Sequence, residues 1–233
     1  GALAAAAMPA PPAWLVPALA AVVVVAGAWA YAGSLRGAFV LDDVRAIVRN
    51  PTIRTVWPLS VPLSPPSEST VAGRPFTNLS FAVSYALGPS TADAIDARSF
   101  HLGNLLVHLA AALVLLGVVR RTLASPRLGA RFGAAAPWLA AAVALLWAVH
   151  PLTTAAVTYV VQRAESLMSL LYLLTLYGAI RAHADPGSRW WPAAAVASCA
   201  CGMATKEAMV TAPIAVALWL WLFGSGEGRR AGP

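Results

Sequence analysis

Apolar runs of membrane-crossing length recur along the 233-residue chain, separated by short charged stretches. A crossing helix needs about 20 mostly apolar residues, because the hydrocarbon core is ~30 Å thick and each helical residue advances about 1.5 Å. Runs that fit, some only with flanking polar residues, cover 14–32, 100–119, 134–150, 167–180, 190–203 and 209–223. Backbone N–H and C=O groups find no water in the bilayer core, so such runs fold as helices that satisfy them internally. The expected fold is all-α and integral to the membrane, with about six transmembrane helices. The last two runs are short and meet at Thr205–Lys206–Glu207, which predicts a tight helical hairpin or one interrupted segment.

Composition points the same way. Hydrophobic residues make up 59% of the chain and charged residues 11%, against about 25% charged in a soluble domain. A net charge of +7 could suggest nucleic acid, but the arginines sit where topology signals belong. One lysine against fifteen arginines, with abundant alanine, points to a GC-rich bacterial genome. Cys199 and Cys201 are two apart in an apolar run, so on a helix they face roughly opposite sides and form neither a disulfide nor a metal pair.

The N-terminus is uncharged and does not start with Met, which suggests a trimmed or partial start. Ala28–Trp29–Ala30 mimics a signal-peptide cleavage site, but a signal peptide carries a positive n-region and this segment has none. Residues 14–32 therefore read as a retained span, with Pro9, Pro11 and Pro12 as a stiff lead-in.

Arginine placement orients the chain. One side collects eight basic and two acidic residues, including the run RRTLASPRLGARFG. The other has eight basic and seven acidic residues, so the first side is expected to be cytoplasmic. Four parts follow: a lead-in with the first transmembrane helix (1–32), an extracytoplasmic loop (33–99), five further transmembrane segments (100–223) and a cytoplasmic tail (224–233). Within the loop, 44–56 reads as an amphipathic helix in the membrane interface, with Val44, Ile47 and Val48 opposite Arg45 and Arg49. VPLSPPSEST is too rich in Pro and Ser to be regular and is expected to be mobile, before GRPFTNLSFAVSYALG resumes helical character.

The unusual chemistry lies on the loop side. Asp42 and Asp43 are adjacent in a chain with only nine acidic residues. An Asp can simply cap a helix, which explains one carboxylate and leaves its neighbour unused. A hydroxyl activated for attack needs a carboxylate base within hydrogen-bond reach, and spacing does not say which of the two would serve. In HPLTTAAVTYVVQRAESL, Arg163 and Glu165 are two apart and cannot share a helix face, so they reach different partners. Arginine suits bidentate phosphate recognition, and the membrane boundary suits a lipid phosphate. The only lysine, Lys206, either solvates its turn or meets an anionic substrate. His101, Asn104 and His108 line one face of the second span. Two helical turns separate the histidines by roughly 10 Å, too far to share a zinc ion, so interhelical hydrogen bonding is the expectation and no metal site is. No Gly-rich phosphate loop, Ser/His/Asp set or HExxH stands in the sequence.

FVLDDVRAIVRNP, GRPFTNLSFAVSYALG, FHLGNLLVHLAAALVL, LLWAVHPLTTAAVTYVVQRAESLMSLLYLLTLY and ATKE occur in that order. Together they resemble the N-terminal membrane half of the TMTC-type O-mannosyltransferases and their bacterial tetratricopeptide-linked relatives, members of the GT-C class. The resemblance covers roughly residues 39–223. It implies inverting transfer of a sugar, typically mannose, from a polyprenyl-phosphate carrier to a Ser or Thr hydroxyl of a protein. The lipid-linked sugar is then a donor substrate and no cofactor is implied. The acidic motif of the first extracytoplasmic loop, matching Asp42 and Asp43, would supply the base. Arg163 and Lys206 would stabilise the leaving phosphate, with Arg74, His150 and Glu165 as further donor-site candidates. The implied location is the bacterial inner membrane, with the N-terminus cytoplasmic. Family members usually continue with more spans and repeats, whereas this sequence stops at GSGEGRRAGP. The resemblance therefore implies either one piece of a longer protein or a shortened relative serving another role. The rival reading is a non-catalytic membrane scaffold subunit in a larger complex, which nine tryptophans would suit as interface anchors. A transporter is a weaker third.

Overall fold

The computed structural model describes residues 12–89, 91 and 94–224, and every regular element among them is helical. The proline lead-in before residue 12 and the tail after residue 224 lie outside the described residues. The α-helices are α1 (Leu15–Tyr31), α2 (Pro75–Leu87), α3 (Ala97–Leu123), α4 (Gly129–Phe132), α5 (Ala136–Ala148), α6 (Thr154–Thr158), α7 (Arg163–Ala184), α8 (Trp190–Met203) and α9 (Ala212–Phe223).

All six apolar runs are helical, but not all are long enough to cross a bilayer. Three stretches qualify by length and composition: Leu15–Arg36, Ala97–Leu123 and Val160–Ala184. A fourth arises if Ala136–Ala148 and Pro151–Thr158, bent by 53° at the intervening break, act as one broken span. The break has a local cause. Pro151 carries no N–H to continue the ladder, and His150 turns extended, with its Nδ1 accepting the Leu152 N–H at 3.1 Å.

The final two runs form the hairpin. Trp191 meets Tyr177 and Arg181 near the end of α7, while Cys199 and Cys201 pack with Leu171, nearer its start, so α8 runs antiparallel to α7. The chain turns at residues 204–206, Met209 tucks under Gly202, and α9 returns alongside α7 to bring Trp219 against Ile180.

Helix α3 is the centre of the bundle. Asp96 starts it, accepting the N–H groups of Arg98 and Ser99, and Arg120 and Arg121 end it where the helix dipole favours cations. Its Ala112 and Leu116 pack with Val23 of α1 and with Ala140, Ala144 and Ala148 of α5. Small residues on α5 let the backbones approach closely, the device that holds helices together where the surrounding lipid is equally apolar.

The segment after α1 folds onto the ends of α3 and α7 as a small domain. Residues 44–56 are not one interfacial helix. Val44–Val48 is a single π turn, Pro51–Ile53 is a 3-10 turn, and Asn50 between them is extended. Ala46 and Ile47 point inward to a core with Ile53, Val71, Phe81, Phe100 and Val160, while Val48 faces outward. The apolar residues are consumed by protein packing, which a sequence moment cannot distinguish from a lipid-facing stripe.

Residues 58–74 are irregular, as expected, but they are tied down by a polar knot. Asn50 Nδ2 donates to Ala46 O at 2.9 Å and to Asn78 Oδ1 at 2.8 Å. Asn50 Oδ1 accepts from Thr52 N and Oγ1, and Asn78 Nδ2 donates to Thr52 Oγ1 and Pro62 O at 2.8 Å each. Both asparagines are fully buried, and a buried amide left unpaired costs about 1–3 kcal/mol, so the knot specifies how the loop folds.

The bundle thus has two chemically distinct ends. The starts of α3 and α7 meet the folded loop at one end, and Arg120, Arg121 and Arg181 mark the other. If the two ends face opposite sides of a membrane, single cysteines at Ser67 and Ala130, both exposed, label from opposite faces with an impermeant thiol reagent. Labelling of both from one face would sink that arrangement.

Candidate functional site

Adjacent in sequence, Asp42 and Asp43 have opposite environments. Leu41 sits at φ 47°, a left-handed conformation that costs a non-glycine residue about 1–2 kcal/mol. The chain then turns tightly, with Asp43 N donating to Val40 O at 2.9 Å and Ala46 N to Asp42 O at 2.9 Å. Asp43 is fully buried and both carboxylate oxygens are occupied: Oδ2 accepts Val40 N–H at 3.1 Å and Oδ1 accepts Val161 N–H at 2.8 Å. It stitches the loop to the start of the α7 segment. Asp42 is exposed, and its backbone N–H donates to the Tyr159 hydroxyl at 3.1 Å.

Burial pushes the Asp43 carboxyl above its ordinary value of 3.8, against the lowering effect of the Val40 and Val161 N–H groups and the neighbouring His101. The folded state therefore binds a proton more tightly than the unfolded chain. This group's contribution to stability is present in full below pH 3.8 and falls away as pH rises through the folded pKa. Thermal unfolding of the purified chain across that window should show a downward slope with rising pH that Asp43→Asn flattens. An equal slope in the variant would assign it to other groups.

Burial likewise raises the Tyr159 phenol, with the Asp42 carboxylate adding to the rise and the Asp42 N–H opposing it. Tyr159 stays protonated and able to donate toward Asp42. Sequence reading missed this tyrosine; its only signal was a polar ring in the break between two apolar helices.

Arg163 is the largest fully buried side chain of the described residues, 2% exposed. Its Nε donates to Asn104 Oδ1 at 2.7 Å, Nη1 to Ser80 O at 3.0 Å and Ser84 Oγ at 2.8 Å, and Nη2 to Phe100 O at 2.5 Å. The guanidinium also lies over the Phe81 ring, 4.8 Å from its centroid. Gly103 has to be glycine here, since a Cβ would stand 2.6 Å from Nη2. Where the sequence suggested a phosphate contact, this geometry has the guanidinium clamping α2, α3 and α7 together, with its N–H groups donating to protein acceptors. Asn104 completes the clamp by donating to the carbonyls of Val157, Tyr159 and Val160 at 3.2–3.3 Å.

The expected hydrogen bonding of the α3 face holds for Asn104 and for His108, whose Nε2 donates to Ala148 O at 2.8 Å. His101 differs: it is 1% exposed, sits against Gly37, and neither ring nitrogen makes a well-formed hydrogen bond among the described residues.

Four charged side chains gather at the same end. Lys206 pairs with Glu165, and Glu207 lies 3.9 Å from Arg74. Phe76 N donates to Ala204 O at 3.0 Å, which fixes the start of α2 against the turn carrying Lys206. Three of the sequence candidates (Arg74, Glu165 and Lys206) are thus brought together, with Glu207 as a member the sequence did not single out. His150 stands apart as an exposed cap of the following turn.

Glu165 also lines a cavity of about 370 Å³ with Gln162, Ser166, Thr153 and Trp147. A second cavity of about 410 Å³ shares Trp147 and Ser169 with it and continues between Leu115, Met168, Tyr172 and Leu173. The two adjoin at Trp147 and Ser169 as a groove, with the polar side chains Gln162, Glu165 and Ser166 in its first part and a mostly apolar lining in its second.

No family model and no solved structure matches the chain. Curated relatives do. Protein O-mannosyl-transferase Tmtc2 of Drosophila melanogaster is 34% identical over 205 residues, covering 81% of this chain and 20% of that protein. Protein O-mannosyl-transferase TMTC1 of Mus musculus is 36% identical over 170 residues, 69% of this chain and 16% of that protein. Protein O-mannosyl-transferase TMTC4 of Homo sapiens is 30% identical over 203 residues, 78% and 26% respectively. The chain spans about a fifth of the length of these relatives. Over the residues matched, it belongs to the TMTC-type family of protein O-mannosyltransferases.

Proposed function

We propose that this chain carries the sugar-transfer centre of a membrane glycosyltransferase that moves a sugar, mannose by the relatives' names, from a polyprenyl-phosphate donor to a protein hydroxyl. The observation that carries the proposal is the groove described above, with its polar end beside the Glu165–Lys206 pair and its apolar length along α3 and α7. An amphiphilic donor would lay its polyprenyl chain against Leu115, Met168 and Leu173 and hold its phosphate at Lys206, with Arg74 as the second cation. Asp42 is the base: its carboxylate is exposed, at the loop end of the bundle, beside Tyr159.

In the reaction, the acceptor oxygen attacks the anomeric carbon as Asp42 takes the hydroxyl proton. The bond from that carbon to the phosphate oxygen breaks with inversion, and polyprenyl phosphate leaves with the electron pair. Fixed cations lower the barrier because they stabilise charge that develops on the leaving oxygen. Membrane lipids surround the bundle, and further membrane subunits and a protein acceptor are its expected partners. The reading places the loop outside the bacterial inner membrane and the N-terminus in the cytoplasm.

The test is transfer of labelled sugar from a defined polyprenyl-phosphate donor to an acceptor peptide in reconstituted membranes, using the longest natural chain that contains these residues. Lys206→Ala should raise the donor KM and lower turnover, together about tenfold to a hundredfold in kcat/KM, because a phosphate contact acts in both ground and transition states. Full activity in Lys206→Ala would remove the donor from this groove. A parent that transfers nothing while holding one stable membrane partner would favour the scaffold reading.

A further inference from the structure

At the end of the bundle away from Asp42, the last turns of α3, α7 and α9 enclose a cavity of about 580 Å³. Its polar lining is cationic or neutral: Arg120, Arg121, His183 and Ser125, with no carboxylate among the described residues that line it. Its remaining wall is apolar and aromatic, including Ile180, Trp219 and Phe223. Arginines at a helix C-terminus commonly do no more than offset the helix dipole. Two observations go further. Ser125 is 6% exposed and its hydroxyl has no hydrogen-bond partner, and Nε of Arg120 is buried and equally unpartnered. Buried polar atoms of this kind are rarely left unpaired, since each costs about 1–3 kcal/mol.

Other groups of the lining hold set positions. Arg121 is held over the Tyr177 ring, 5.5 Å from its centroid, with Nε toward the Tyr177 hydroxyl at 3.4 Å. Trp219 donates to Thr122 Oγ1 at 2.9 Å and stands edge-on to His183. Two guanidinium groups and an idle hydroxyl therefore face a cavity whose other wall is apolar and whose helices run into the membrane.

We propose that this cavity binds the phosphodiester headgroup of an anionic phospholipid. Arg120 and Arg121 would hold the phosphate oxygens, Ser125 would donate to one of them, and the start of an acyl chain would lie against Ile180 and Phe223. The site is separate from the groove assigned to the donor and does not depend on that assignment. A soluble phosphate compound shares the headgroup chemistry, but the apolar wall gives it no counterpart.

The purified chain in phosphatidylcholine nanodiscs is exchanged with phosphatidylglycerol, and the lipids retained after transfer to detergent are counted by native mass spectrometry. Phosphatidylglycerol should be retained in preference to phosphatidylcholine. Arg120→Gln and Arg121→Gln should each weaken that retention about tenfold, the scale of one charge-assisted contact. Arg189→Gln, exposed at the same end but outside the cavity, should leave it unchanged. If Arg120→Gln does not insert, Arg121→Gln and the charge-keeping Arg120→Lys decide, with Arg120→Lys expected to lose less than Arg121→Gln. Equal retention of both lipids, or an equal loss in Arg189→Gln, would reduce the effect to surface charge and overturn the proposal. Displacement of the lipid by millimolar inorganic phosphate, but not by chloride at matched ionic strength, would overturn the lipid as the source.

Discussion

Asp42→Asn is expected to lower sugar transfer by about a hundredfold to ten-thousandfold, the range for loss of a general base, while leaving the folded protein as stable as the parent. Asp43→Asn is expected to do the reverse. The Asp42 side chain is exposed, whereas the two Asp43 oxygens each accept a backbone N–H, one of them 118 residues away at Val161. An asparagine can accept only one of those bonds and turns an N–H₂ group toward the other donor. The cost is about 1–3 kcal/mol for the unsatisfied N–H, read as a lower unfolding temperature with a smaller effect on turnover. Transfer by Asp42→Asn at the parent rate, with the protein folded and inserted, would dismiss this carboxylate as the base. Equal loss of transfer and equal stability in both variants would show that the two act as a pair.

Arg163→Ala should cost about 3–5 kcal/mol, from acceptors left unpaired at Asn104, Ser80, Ser84 and Phe100 and from the cavity left behind. Arg163→Lys should recover only a minor part, because an ammonium lacks the planar fork that reaches α2 and α3 at once. The measurement is thermal or denaturant unfolding in detergent, set beside donor KM in whatever fraction remains folded. A stable Arg163→Ala protein with a raised donor KM would restore the phosphate reading of this arginine and reject the clamp.

These variants also mark where sequence reasoning reached its limit. The apolar runs, their helical state, the turn at Thr205–Glu207 and the division of charge between two ends were all legible, because backbone satisfaction in a membrane leaves a long apolar segment almost no other choice. The charged candidates Arg74, Glu165 and Lys206 were legible as types, since ionisable residues at the edge of an apolar bundle are costly to keep. Their grouping was not, because it depends on α2 docking against the 204–206 turn through the Phe76–Ala204 hydrogen bond, 128 residues apart.

The amphipathic reading of residues 44–56 failed for a related reason. A periodic stripe reports that one face must leave water, not whether lipid or protein receives it, and here Ile53, Phe81 and Phe100 receive it. The neighbouring Asp42 and Asp43, and the distant Arg163, make the sharpest case. Sequence alone determined that two carboxylates and an arginine flank long apolar runs, since residue type and hydropathy are properties of the chain. Only the tertiary structure decided that Asp43 and Arg163 are spent on holding the fold and Asp42 is left facing outward. Burial and hydrogen-bond partners come from segments tens to more than a hundred residues away, and no local pattern encodes them.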